Sequence, residues 1–159
     1  MRIYRDTARH EIVDLNVSTS LRGDFSKAHI EGDQADVLPT DTQKNTAFAY
    51  AKSHGVASPE DYAVALGTRF LDASPKTDSA RISVEQYAWD RIGVGPAGNR
   101  YGHDHAFTRR GGPVRTTEVT VTRDPGRPNT GRSNTVQVVS GLRDLMVLKS
   151  TGAEFKGFL

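Results

Sequence analysis

Along residues 11–21, EIVDLNVSTSL, apolar and polar side chains alternate. Val13, Leu15, Val17 and Leu21 fall on one side, Asp14, Asn16, Ser18 and Ser20 on the other. Period two with one wet face predicts an antiparallel strand. Residues 2–5 form a preceding strand segment, joined to it around Asp6-Thr7. Arg22-Gly23-Asp24 ends the strand, and residues 24–36 read as a polar loop or short turn. The period changes after Pro39. Thr40 to His54 reads as a helix, with Thr40 and Gln43 spaced as a capping box and Gly55 as the residue that ends it. A second helix has a stronger opening. Ser58 is an N-cap, Pro59 takes the first helical position, and Glu60 and Asp61 suit the positive end of the helix dipole. Tyr62, Leu66 and Phe70 then make one apolar stripe, and Pro75 closes the helix.

Alternation returns over residues 80–92, ARISVEQYAWDRI, where Ala80, Ile82 and Val84 oppose Ser83, Glu85 and Tyr87. Residues 114–123, rich in Thr and Val, predict another strand. Residues 135–149 predict a long one, with Gly141 marking a bulge. The connections GVGPAGNRYGHDH and DPGRPNTGRSN are rich in Gly, Pro and Asn and read as loops. The order is strands, two helices, strands. It predicts an α+β fold, an antiparallel sheet with the two helices packed on one face. No internal repeat or linker interrupts the chain, so residues 1–159 are expected to form a single domain.

Composition agrees with a packed domain. Hydrophobic residues make up 36% of the 159, and the 15 glycines bring the apolar share close to the ~45–50% usual for globular chains. There is no cysteine, so disulfides, thiolate metal sites and cysteine nucleophiles are excluded. No apolar run approaches the ~20 residues of a membrane helix, and the N-terminal MRIYRDTARHE lacks the apolar segment of a signal peptide. A cytoplasmic location and no membrane partner are the expectation. Net charge is +2. Residues 100–144 hold eight arginines (Arg100, Arg109, Arg110, Arg115, Arg123, Arg127, Arg132 and Arg143) against four acids, making a local basic patch.

Chemistry concentrates at VLPTDTQKNTAF, residues 37–48, where Thr40 and Asp41 sit together at a helix start. The first N–H groups of a helix lack intrahelical partners, and the dipole there favours anions. A planar anion could use those groups with the Thr40 hydroxyl beside it; plain helix capping explains the same residues. His103 and His105 in HDH could ligate a metal only with a third ligand, which nothing nearby supplies apart from Asp104; packing of a polar loop is the simpler reading, and no metal is expected. The arginine patch lacks interleaved aromatics and any nucleic-acid motif, so a solvated face or subunit interface is favoured over nucleic acid. GVGPAG is too degenerate for a phosphate loop. Tyr87 and Trp89 read as core or interface.

Two stretches carry a resemblance. TDTQKNT (residues 40–46) and LKSTGAEFKGF (residues 148–158) resemble the N-terminal half of urate oxidase, the uricase family. TARHEIVDLNV, LRGDF and HDHAF agree with bacterial members, and the likeness covers the chain outside the two long loops. It implies the first of two tandem tunnelling-fold domains, each an antiparallel sheet with a helix pair between its second and third strands. It implies subunits assembled into a tetramer, or completed by a second-half domain, with active sites at subunit interfaces. It further implies oxidation of urate by O2 to 5-hydroxyisourate and peroxide with neither metal nor organic cofactor. Thr40 matches the family's catalytic threonine, in a proton relay beside the O2 site. Asp41 matches the residue whose backbone N–H helps hold urate, and Phe155 the aromatic that stacks on the purine.

The chain also departs from that pattern. A threonine hydroxyl needs an activating partner. The family's lysine, in Tyr-Gly-Lys, lies just upstream of the stretch aligned with Met1. Arg2 and Arg5 cannot replace it, because guanidinium does not deprotonate. The family's substrate-clamping arginine and glutamine, and its relay histidine, belong to the second half. Pro39 stands where alanine is common and stiffens the approach to Thr40. The isolated 159-residue chain is therefore expected to be inactive. The rival reading is a non-catalytic truncated module that only assembles or binds purine-like ligands.

Overall fold

The computed structural model describes residues 1–96, 101–124 and 134–152. In chain order these form β1 (Arg2–Tyr4), β2 (Glu11–Gly23), α1 (Ser26–Ile30), α2 (Thr40–Ser53), α3 (Pro59–Ala73), β3 (Thr77–Tyr87), β4 (Trp89–Val94), β5 (Tyr101–Arg109), β6 (Val114–Arg123) and β7 (Asn134–Arg143). One antiparallel sheet runs β1-β2-β3-β6-β7, and β4 and β5 pair separately as a hairpin. The fold is α+β, as the pattern predicts.

The core lies under α3. Ser58 accepts a hydrogen bond from Asp61 N at 3.0 Å, and Pro59 follows it at the first helical position. The helix then turns Tyr62, Ala63, Leu66, Phe70 and Leu71 inward. They meet Ala80, Ile82 and Val84 of β3 and Val119 and Val121 of β6, all fully or almost fully buried. Each buried Leu, Ile or Phe contributes about 1.5–3 kcal/mol. The register Ala80↔Val121 and Ile82↔Val119 puts these side chains on one face. The other face is polar: Glu85 accepts hydrogen bonds from Tyr87 (2.6 Å) and Asn16 (3.4 Å), and Ser83 donates to Glu118.

Helix α2 is different. It has no buried residue, whereas α3 has seven. Ala47, Tyr50 and Ala51 pack half-buried against the core, and the Tyr62 hydroxyl donates to Ala47 O at 2.8 Å; burial pushes that phenol up to about 12.

Four expectations need correction. Three helices form, because Asp24 accepts from Ser26 N (3.2 Å) and Ser26 Oγ (2.6 Å) and so starts the five-residue α1 within the expected loop. The stretch 80–92 is two strands. β3 ends at Tyr87, Ala88 O accepts from Arg110 N, and β4 starts a second sheet. Alternation survives such a change of partner, since it carries no record of pairing. The strand expected over 135–149 stops at Arg143, where Asp144 turns to φ 58°. Gly141 pairs with Thr116 in unbroken register, so it marks no bulge; register shifts fall instead at Arg22/Gly23 and, in the hairpin, at Arg91/Gly93.

Candidate active site

Pro39 holds φ −57° and ψ 146°, an extended geometry, and so occupies the half-in position before α2. Thr40 is thereby the first helical residue. The capping-box reading is corrected: no side chain caps α2. Gln43 N bonds to Pro39 O at 3.0 Å. The Gln43 amide instead donates to Leu38 O at 2.9 Å and accepts from the Thr19 hydroxyl at 2.8 Å. Sequence reasoning missed this clamp because Gln43 had an ordinary explanation three residues after Thr40.

The consequence is chemical. Thr40, Asp41 and Thr42 precede the first intrahelical bond, so their N–H groups face outward at the positive end of the helix dipole. The Thr40 side chain is exposed and not spent on a cap. The Asp41 carboxylate pairs with Lys44 at 2.8 Å, both exposed. An anion approaching this turn meets peptide N–H groups and a hydroxyl, with the neighbouring carboxylate neutralised by its own lysine. Thr40 also borders two cavities: one of about 390 Å3 between α2 and β1–β2, and one of about 420 Å3 beside α1. Phe155 lies outside the described residues, so the structure brings Thr40 and Asp41 together but does not address the third expected site residue.

HDH is not in a loop. Residues 101–109 form β5, with His103 and His105 on it. Their rings meet edge to face at 4.6 Å, and His105 lies 5.4 Å from the His10 ring. His103 Nδ1 accepts from His105 N at 3.1 Å, which takes one ring nitrogen out of use. Among the described residues no three His, Asp or Glu side chains converge as metal ligands.

The described arginines of the basic patch have partners. Arg110 pairs with Asp90 and Arg143 with Glu85. Arg109 stacks on Tyr87 at 3.8 Å. Arg123 donates to Leu71 O (2.7 Å) and Thr77 O (3.2 Å). Arg115 grips Glu60 at 2.8 and 2.9 Å. Arg100, Arg127 and Arg132 lie outside the described residues. Burial alone would raise the Glu60 carboxyl. Hydrogen bonds from Ser140, its own backbone N–H, Thr117 and Arg115 outweigh it and hold the group at about 2. This charge distribution is turned inward, onto the fold's own acids and carbonyls.

The family model described as Uricase matches residues 1–120. A uricase of Arthrobacter globiformis is 41% identical over 158 residues, covering 99% of this chain and 46% of the relative. A uricase of Danio rerio is 32% identical, covering 100% and 49%. The chain thus spans about half the length of the curated relatives it matches. Among solved structures, the Arthrobacter globiformis uricase superposes with a TM-score of 0.65 at 33% identity, over 87% of this chain and 54% of that one. A uricase from Bacillus fastidious gives 0.75 at 26% identity, over 91% and 44%. With a family model spanning most of its length and relatives above 30% identity along it, the chain belongs to the uricase family.

Proposed function

We propose that this chain supplies one wall of a urate oxidase active site. The reaction is oxidation of urate by O2 to 5-hydroxyisourate and hydrogen peroxide, without metal or organic cofactor. Urate gives up two electrons and two protons to O2, and water supplies the added hydroxyl. The observation that carries the reading is Thr40. It is the first residue of α2, its hydroxyl is unspent on capping, and it is followed by peptide N–H groups with no intrahelical acceptor. A planar anion suits that end. In this reading the Thr40 hydroxyl moves protons beside the O2 site, the Asp41 N–H holds urate, and Phe155 stacks on the ring. Positioning and electrostatics then do the protein's part. The remaining groups come from a second-half domain, within a homotetramer.

The test is urate consumption in air with peroxide followed in parallel. It is made first on the 159-residue chain, then on that chain fused to the second half of the Arthrobacter globiformis relative, each with and without Thr40→Ala. We expect no turnover by the chain alone, turnover by the fusion, and its loss in the variant. A folded fusion that oxidises urate equally well with alanine at position 40 overturns the reading.

One observation favours the second reading, a non-catalytic module that only assembles. Strand β7 is one of the sheet's two outer strands and exposes Val136, Val138, Val139 and Leu142. An open apolar edge invites pairing. Light scattering that finds a stable monomer counts against assembly through it.

A further inference from the structure

A glutamine amide carries an acceptor and a donor on one flat group, and Gln43 uses both. Its Oε1 accepts from the Thr19 hydroxyl, and its Nε2 donates to Leu38 O. Its backbone N–H donates to Pro39 O. One residue thus fixes the two carbonyls that precede Thr40 and ties them to strand β2. Both side-chain bonds are partly buried, where a hydrogen bond is stronger than in water.

The anchor is firm at the sheet end. Thr19 stands opposite Ile82 of β3, which is fully buried. Helix α2 has no comparable anchor of its own at this end. None of its residues is buried, and Ala47, Tyr50 and Ala51, which pack on the core, lie in later turns. Pro39 removes further freedom, because its ring holds φ near the observed −57°. Thr40 follows directly on this restrained pair, exposed and uncapped.

We propose that Gln43 is a positioning residue for Thr40. By joining β2 to the segment before the helix, it sets where the Thr40 hydroxyl stands relative to a ligand on the first turn. The inference rests on the urate reading above. A hydroxyl that moves protons must stay within hydrogen-bond reach of its partner, and a displacement of about 1 Å can cost about 100-fold in rate. Leucine at position 43 keeps the bulk and makes neither side-chain bond.

The first arm of the test uses the 159-residue chain and needs no activity. Amide order parameters of Thr40, Asp41 and Thr42 should be near the ~0.85 of rigid backbone, and should fall toward ~0.6 in Gln43→Leu while those of α3 stay unchanged. The second arm uses the fusion to the second half of the Arthrobacter globiformis relative. There Gln43→Leu should lower kcat by at least about tenfold and leave KM within about twofold, the mark of an interaction made in the transition state. Order parameters that do not change in folded Gln43→Leu overturn the proposal. So does an unchanged kcat in a fusion that Thr40→Ala inactivates, or a loss carried by KM instead. Full turnover with Thr40→Ala sinks the urate reading, and with it the catalytic purpose proposed for Gln43. If Gln43→Leu fails to fold, Thr19→Val, which cuts the tie to β2 and leaves the helix sequence intact, decides by the same two measurements.

Discussion

The Thr19 hydroxyl donates to Gln43 Oε1 at 2.8 Å while Gln43 Nε2 donates to Leu38 O at 2.9 Å. One amide thus joins strand β2, the segment before Pro39 and the first turn of α2. Gln43→Leu leaves both Thr19 and Leu38 O without this partner and should cost about 1–2 kcal/mol. Thr19→Val removes one of the two bonds. The pair should couple in a double-mutant cycle read by urea unfolding, by about 0.5–1.5 kcal/mol. Strict additivity would show that the two groups act independently.

Glu60 sets an acid limit on stability. Its carboxyl sits at about 2 in the folded chain against 4.5 for an unperturbed glutamate. A depressed carboxyl stabilises the fold above its unfolded value. That contribution is whole above pH 4.5 and drains away as pH falls from 4.5 to 2. Glu60→Gln should remove this acid slope and cost on the order of 1–3 kcal/mol at neutral pH, because Arg115, Thr117 and Ser140 lose a charged acceptor. Equal acid slopes in variant and parent, measured by denaturant unfolding across that range, would assign the slope to other groups.

Gly67 decides between two opposed effects. Alanine in a helix interior is favoured over glycine by about 1 kcal/mol. A Cβ at this position would lie 2.8 Å from Val121 Cγ2 and 3.5 Å from Ile82. Both neighbours are fully buried and β-branched, so neither rotates away freely. Overpacking at about 1–3 kcal/mol outweighs the propensity gain. Gly67→Ala should lower the melting temperature, and Val121→Ala added to it should recover part of the loss. A rise in melting temperature for the single variant would mean that the core has slack the structure does not show.

Where burial enforces a period, the sequence was readable. α3 and β6 appear within a residue of their expected limits, because Tyr62, Leu66 and Phe70 on one and Val119 and Val121 on the other face the same core. What escaped was set by contacts between distant residues. Nothing in residues 80–92 shows that Trp89 leaves β3's sheet to bond Asp14 through Nε1. Tyr101–His105 read as the end of a loop because its glycine and histidines are poor strand formers, yet Arg91 and the backbone of β4 hold it extended as part of β5. At the candidate site, Thr40 and Asp41 were legible as a helix start, but the Thr19–Gln43 bond that leaves Thr40 uncapped was not.

The β4–β5 hairpin is moored by a few polar contacts. Arg91 donates to His10 O, His103 O and Asp104 O, and Arg9 pairs with Asp104 at 3.1 Å. None of its described residues is buried. In amide exchange this makes it a separate unit, opening at a fraction of the energy that unfolds β3 and β6. Deuterium should enter Tyr101–Arg109 long before it enters Val114–Arg123, and Arg91→Ala should widen that interval by loosening the hairpin alone. The two sheets share a chain, but they keep different clocks.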